Sequence, residues 1–286
     1  MTRVLLTIPH YYRPTAVAPD GRPHGSVARD PGPRVAALAE CLRGLRLTFA
    51  PRAGVLDHAA RLARRVEPAD PVAVDVVVCT AGGHHLLDRL PADAGPWAHH
   101  ATAADPPLLG YECHAVLRDR LGAYDFYGYL EDDLVVTDPW FFQKLRWFNR
   151  LAGDACVLQP NRYEAGPHPG VDKLYVDGPL PEHCLAQAVA RVPAWVAEAL
   201  GREVTFRTTT NPHAGCFFLT GPQMAYWAGR PRFLDRSSAF VGSLESAATL
   251  GLATAFAVYK PALESADFLE VRHHGSAYLS MVAAEP

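Results

Sequence analysis

The sequence predicts an α/β protein with a mainly parallel central sheet flanked by helices, organised as one domain. Three observations predict it. Continuous apolar runs at 3–9 (RVLLTIP), at 72–80 (VAVDVVVCT) and in YDFYGYL before Glu131 have the length and composition of strands buried on both faces. Helical patterns separate these runs, as crossover connections between parallel strands require. The chain has 286 residues, 49% hydrophobic and 20% charged, which is enough for a sizeable core.

Taken in order, the strand at 3–9 is followed by a long Pro- and Gly-rich loop, HYYRPTAVAPDGRPHGSVARDPGP. Loops of that length in compact domains are usually functional or disordered. A helix begins near Pro33 and carries Val35, Leu38, Leu42 and Leu45 on one face. A second helical stretch is expected at 55–66, then the strand at 72–80, closed by Gly82-Gly83. Irregular chain runs to 107, and 108–122 reads as a helix ended by Gly122. The third strand leads into the acidic triplet Glu131-Asp132-Asp133. A helix over 138–153 follows, with Asp138 as its cap and Pro139 at its first position.

The half from 138 to 286 has shorter elements. ACVLQPNRYE (155–164), EVTFRTT and GCFFLTG read as strands, and TAFAVYKPA and DFLEVRHHG as further extended segments. The stretch EHCLAQAVARVPAWVAEAL is mixed, because Pro193 breaks any helix. A helix is expected over 243–253, capped by Ser243. No repeat and no linker interrupts the chain, so 1–286 is read as a single domain with halves at 1–137 and 138–286.

Bulk properties exclude several classes. A net charge of −3 gives no basic excess for nucleic acid or an anionic membrane. No apolar run reaches the roughly 18 residues of a transmembrane helix. The N-terminal apolar run is too short for a signal peptide, so a cytoplasmic location is expected. Cys41, Cys79, Cys113, Cys156, Cys184 and Cys216 form no CxxC pair. They read as buried free thiols rather than a zinc site or a disulfide framework.

The acidic triplet needs a reason. Ligands of open α/β sheets bind beyond the carboxyl ends of the strands, where this triplet falls. Strand alternation would put Glu131 and Asp133 on one face and Asp132 on the other. Three carboxylates so close raise one another's pKa unless water or a cation compensates. Hard oxygen donors suit Mg2+ or Mn2+, particularly beside substrate phosphates. The alternative is a solvated turn that caps the next helix.

YDFYGYLEDDLVV, placed after an alternating α/β half, resembles the DxD segment of nucleotide-sugar-dependent glycosyltransferases of the GT-A fold. The opening strand ending in IP and the helix before the acidic strand fit the same layout. The resemblance implies a nucleotide-sugar-binding half at 1–137 and an acceptor-binding half with a smaller mixed sheet at 138–286. It also implies a Mn2+ or Mg2+ cofactor, with Asp133 as direct ligand and Asp132 as a nucleotide contact. The triplet departs from the family at its first position, so Glu131 is assigned to ribose or water-mediated contact. The family's C-terminal metal-binding histidine points to His273, or otherwise His274, in EVRHHG.

An inverting transferase needs a carboxylate to deprotonate the acceptor hydroxyl. Glu245, near a helix N-terminus that favours its ionised form, takes that role, ahead of Asp235 and Glu264. The plainer reading of Glu245 is a first-turn cap. Asn161 and Arg162 in QPNRYE, and Asn211 and His213 in TTTNPHAGCFFLTG, are candidate acceptor or sugar contacts; each stretch could also be only a polar turn. His10, Tyr11 and Tyr12 close the first strand, where an aromatic ring could stack on the nucleobase.

The expected activity is metal-dependent transfer of a sugar from a nucleoside-diphosphate sugar to the hydroxyl of a saccharide or small-molecule acceptor, with inversion. A nucleotidyltransferase that makes nucleotide sugars is the first alternative, although HYYRPTAVAPDG lacks its Gly-rich phosphate loop. A non-catalytic carbohydrate-binding relative is the second.

Overall fold

The computed structural model describes residues 1–14, 25–50, 52–180, 192–240 and 242–283. Part of the expected first loop (15–24) and most of the mixed stretch after 181, with Cys184, lie outside the described residues. In chain order the strands are β1 (Thr2–His10), β2 (Ala53–Asp57), β3 (Leu62–Val66), β4 (Val72–Ala81), β5 (Ala98–Thr102), β6 (Phe126–Leu130), β7 (Leu134–Val135), β8 (Cys156–Leu158), β9 (Asn161–Ala165), β10 (Lys173–Tyr175), β11 (Trp195–Ala199), β12 (Arg202–Thr208), β13 (Cys216–Thr220), β14 (Ala257–Pro261) and β15 (Glu270–His273). The helices are α1 (Gly32–Thr48), α2 (Leu109–Arg118), α3 (Phe141–Ala152), α4 (Gly221–Ala228), α5 (Ser243–Glu245) and α6 (Gly251–Ala253). A π turn over Ser246–Leu250 joins α5 to α6.

The central sheet has the order β13-β6-β1-β4-β5. Its members run parallel except β13, which is antiparallel to β6. This is the mainly parallel α/β architecture that the sequence predicts. β1, β4 and β6 are largely apolar because helices cover both faces, whereas the edge strand β5 is exposed. Val4, Leu6 and Ile8 of β1 pack with Leu38 and Leu42 of α1 and with Phe141, Phe142 and Phe148 of α3. Leu5, one position out of phase, packs on the other face with Leu109, Cys113 and Leu117 of α2 and Trp227 of α4. Gly128 in β6 is a space requirement, since a Cβ there would come within 2.6 Å of Leu6 and 3.0 Å of the Phe217 carbonyl.

Two smaller sheets have the orders β10-β9-β15-β7 and β11-β12-β14-β8. Cys41, Cys79, Cys113 and Cys216 are buried free thiols, and Cys156 is partly covered.

Several expected elements differ. Residues 55–66 form the antiparallel hairpin β2–β3 and not a helix. The Asp57 carboxylate accepts from the Ala59 and Ala60 amides at 3.1 and 3.0 Å, which turns the chain back on itself. The irregular stretch before 107 contains β5, the outer strand of the central sheet. Residues 155–164 are two strands in different sheets, separated at Gln159-Pro160. Asp138 accepts from the Trp140 amide at 2.8 Å in a turn that precedes α3, while Trp140 holds the cap position. Gly242, not Ser243, caps α5, and its cap makes no side-chain hydrogen bond.

Candidate functional site

β6 ends at Leu130, so Glu131, Asp132 and Asp133 form a turn in which the Leu134 amide donates to the Glu131 carbonyl at 3.1 Å. The strand alternation expected for the triplet therefore stops short of it. Asp132 and Asp133 both reach Arg34, at the start of α1, while Glu131 turns towards Arg162. Gly215 makes this possible. Its φ is +61, and a Cβ there would lie 2.5 Å from Glu131 Oε2.

Asp132 is buried between two partners. Arg34 pairs with one oxygen, and His10 Nδ1 lies 2.6 Å from the other. The Leu86 amide donates to His10 Nε2 at 3.2 Å. With Nε2 accepting, Nδ1 carries the proton and donates to Asp132. The end of β1, the loop after β4 and the acidic turn are thereby locked together. Burial works against the Arg34 charge, but Asp132, Asp133 and Glu131 outweigh it and raise its pKa.

Register brings the C-terminal histidines here. In the sheet β10-β9-β15-β7, His273 pairs with Leu134 on one side, and the parallel ladder on the other side runs Glu270–Asn161, Val271–Arg162, Arg272–Tyr163. The next step of that ladder sets His273 beside Glu164. His273 Nδ1 is 2.8 Å from Glu164 Oε1, and His273 Nε2 is 3.7 Å from Asp133 Oδ2. Glu164 is fully buried and also accepts from the Leu279 amide at 2.7 Å. Its carboxylate therefore accepts the Nδ1–H hydrogen bond and fixes the ring with Nε2 on the side of Asp133. The His274 ring turns away to Glu40 at 2.6 Å, while its amide donates to the Asp133 carbonyl at 2.7 Å.

A buried charge network stands behind the triplet. Arg162 Nη1 is 3.7 Å from Glu131 Oε2, and its Nε and Nη2 donate to Asp177 Oδ1 at 2.9 and 2.7 Å. Lys260 donates to Asp177 Oδ2 at 2.9 Å and to the His213 carbonyl. Burial would push the Asp177 carboxyl up, but Lys260 and Arg162 hold it well below the usual carboxylate range. Burial lowers the Lys260 and His213 pKa values. Burial pushes Glu131 up to about 8; Arg162 opposes this, while Asp133, Glu245 and Asp132 add to it.

The other sequence candidates fall as follows. The Asn161 amide donates to the Pro261 carbonyl at 2.9 Å, that of Asn211 donates to the Gly178 carbonyl at 3.0 Å, and His213 Nδ1 is 2.9 Å from Thr249 Oγ1. Tyr11 meets His84 edge-on at 5.9 Å between centroids, where the ends of β1 and β4 adjoin. Tyr12 is buried, and its hydroxyl donates to the Ala28 carbonyl at 2.7 Å. Glu245 lies in the first turn of α5, folded against Gly242, and its charge acts on Glu131 and Tyr129. Glu264 is an exposed partner of Arg207 at 2.6 Å, and Asp235 accepts from the Ser237 amide at 3.1 Å.

Sequence reasoning missed Arg34, Glu164, Asp177 and Lys260. Alternation along β9 places Glu164 on the same face as Arg162, and this was the one available signal. Arg34 meets the triplet, and Asp177 and Lys260 meet Arg162 behind it, only through long-range pairing. Among the described residues, no group of three or more His, Cys, Asp or Glu side chains is gathered as a ready metal cage. No helix among them is long and apolar enough to cross a membrane.

No protein-family model and no curated protein sequence matches the chain. Among solved structures, it aligns with glucosyl-3-phosphoglycerate synthase from Mycobacterium tuberculosis, determined with Mn2+, UDP-glucose and phosphoglyceric acid. That alignment has 11% identity and a TM-score of 0.41, over 98% of this chain and 74% of the other. Mannose-1-phosphate geranyltransferase from Thermus thermophilus aligns at 12% identity and a TM-score of 0.35, over 96% of this chain and 75% of the other.

Proposed function

We propose that the chain is a metal-dependent glycosyltransferase that moves a sugar from a nucleoside-diphosphate donor to an acceptor hydroxyl, with inversion. The observation that carries this reading is the alignment of Asp133, just past the carboxyl end of β6 in the parallel sheet, with His273 of β15 and Glu164 of β9. A histidine whose far nitrogen is fixed by a carboxylate is the usual form of a metal-ligating imidazole. Its Nε2 lies 3.7 Å from Asp133 Oδ2, so one oxygen and one nitrogen donor face a common space. Two protein donors suit Mn2+ or Mg2+, which keep their remaining positions for water and substrate phosphates.

Asp133 and His273 would hold the ion. When bound, it would neutralise charge on the leaving diphosphate as a Lewis acid. His10 and Asp132 act by orienting Arg34, whose guanidinium steadies Asp133. Tyr11, with His84, offers an aromatic surface for the nucleobase. Glu131 faces the donor from the Arg162 side. Asn161, Asn211 and His213 contribute through the framework that carries Arg162 and Lys260.

Glu245 accepts the proton of the acceptor hydroxyl as that oxygen bonds to the anomeric carbon. The bond from that carbon to the diphosphate oxygen breaks, and the nucleoside diphosphate leaves with the bonding electrons. Glu245 stands in the first turn of α5, where its charge acts on the buried Glu131 of the acidic turn.

The test is a turnover assay on nucleoside-diphosphate sugars with and without Mn2+. Mn2+-dependent release of nucleoside diphosphate supports the reading. Release of pyrophosphate from a nucleoside triphosphate and a sugar phosphate would replace it with nucleotidyl transfer. No turnover of either kind, with intact nucleotide binding, would indicate a binding protein.

A further inference from the structure

Glu164 is fully buried, and both of its oxygens are engaged. One accepts from His273 Nδ1 at 2.8 Å, and the other accepts from the Leu279 amide at 2.7 Å. A single carboxylate thus fixes both the imidazole beside Asp133 and the start of a 3₁₀ turn over Leu279–Met281. Two further ties hold this turn. The Leu279 side chain is buried, and the Val282 carbonyl lies 2.9 Å from His168 Nε2. Tyr278 stands at the cap position of the turn, next to the anchored Leu279.

Tyr278 belongs to the same neighbourhood as the acidic turn. Its ring meets the His273 ring edge-on, at 5.4 Å between centroids and 67° between planes. Burial raises the pKa of its hydroxyl; Arg162 opposes this, while Glu131, Asp177 and Asp133 add to it. The charges that act on the phenol are therefore those of the acidic turn and of the network behind it. The hydroxyl itself makes no hydrogen bond with the described residues. Tyr278 is 38% exposed, so a ligand can reach it. An aromatic body packed on one side, with a polar tip left accessible, is a common form of ligand contact.

We propose that Tyr278 is a further substrate contact, its hydroxyl donating a hydrogen bond to a diphosphate oxygen of the donor. This rests on the reading of Asp133 and His273 as the pair that holds the ion. Phosphate oxygens complete the shell of a Mn2+ or Mg2+ ion that has few protein ligands. They are then the substrate atoms nearest to His273 and to a ring packed on it. The site already gathers the carboxylates of Glu131, Asp133 and Asp177, so an entering diphosphate needs donors and not further acceptors. A tyrosine hydroxyl supplies one at neutral pH. Because Glu164 holds both His273 and the Leu279 amide, the ion ligand and the phenol keep a fixed relative position.

Calorimetric titration of the intact chain tests the proposal, with Mn2+ alone, with a nucleoside diphosphate plus Mn2+, and with a nucleoside-diphosphate sugar plus Mn2+. Tyr278→Phe keeps the ring against His273 and removes only the hydroxyl. Its affinity for the diphosphate is expected to fall about tenfold, the lower end for a hydrogen bond to a charged oxygen. The nucleotide sugar should lose the same factor, while affinity for Mn2+ alone and the thermal midpoint stay at wild-type values. A wild type that binds no diphosphate with Mn2+ overturns both the functional reading and this contact. A wild type that binds, beside a Tyr278→Phe variant that binds as tightly, overturns the contact alone. A loss confined to the nucleotide sugar would assign the hydroxyl to the sugar, and a loss of affinity for Mn2+ alone would make Tyr278 a support for His273. Either result overturns the diphosphate contact.

Discussion

His273 bridges two carboxylates: its Nδ1 is 2.8 Å from Glu164 and its Nε2 is 3.7 Å from Asp133, whereas the adjacent His274 points to Glu40. Two neighbouring histidines therefore have different tasks. His273→Ala is expected to weaken Mn2+-supported nucleotide binding by at least tenfold, and His274→Ala by much less. Glu164→Gln, which alters the partner of Nδ1 but leaves the ring in place, should fall between them, since loss of such a partner typically costs about 10–100-fold in metal affinity. Calorimetric titration reads all three, and equal, negligible effects would remove β15 from the site.

Glu245 separates two roles by a single substitution. Glu245→Gln keeps the side chain's shape but cannot take a proton. A general base contributes about 10²–10⁴-fold, so kcat should fall by that factor with donor affinity unchanged. A first-turn carboxylate that serves only the helix is worth about 0.3–1 kcal/mol, and its loss would lower the thermal midpoint slightly while turnover stayed normal. Measuring kcat and thermal midpoint on the same variant distinguishes these outcomes.

The Arg162–Asp177–Lys260 network predicts a large effect on stability. Asp177 is the common partner of two buried cations, at 2.7 and 2.9 Å. Asp177→Ala leaves Lys260 without a carboxylate and Arg162 with only Glu131 at 3.7 Å, and removing one member of a buried pair costs about 3–5 kcal/mol. Denaturant titration should show a loss of that order. A loss under 1 kcal/mol would mean that water enters and solvates Arg162 and Lys260.

These cases mark how far the sequence could be read. β1, β4 and β6 were legible because burial on both faces leaves few polar positions to interrupt the pattern. The hairpin at 53–66 was not, because Ala, Leu and Arg are strong helix formers, and Val55, Leu62 and Val66 recur at spacings a helix would also show. The side-chain turn at Asp57 decided otherwise. β5 (AHHAT) lacks both alternation and aliphatic content, and joins the sheet through backbone pairing with β4 and one side-chain hydrogen bond, Thr80 to His99. The acidic triplet announced the edge of the sheet, but Arg34 and His273 meet it from opposite ends of the chain, at separations no local pattern encodes.

His114 predicts an acid-side loss of stability. It is buried among Tyr111, Tyr129, Phe217, Trp227 and Phe233, and burial lowers its pKa to about 3 from an ordinary 6.5. The unfolded chain takes up a proton as pH falls through 6.5, whereas the folded chain resists until about 3. The folded state binds fewer protons in that window, so stability falls as pH falls. His114→Phe removes this contribution. Its thermal midpoint, relative to the wild type, should rise steadily from pH 7 to pH 4. Parallel curves would show that His114 is protonated in the folded state.

The central claim is that Asp133 belongs to a metal-dependent nucleotide site. Its most direct test is calorimetric titration of a nucleoside diphosphate into the wild type with Mn2+, into the wild type with chelator, and into Asp133→Ala with Mn2+. The account predicts binding in the first case only, with a thermal midpoint for Asp133→Ala close to that of the wild type. Undiminished binding in chelator, or undiminished Mn2+-dependent binding by Asp133→Ala, would contradict it.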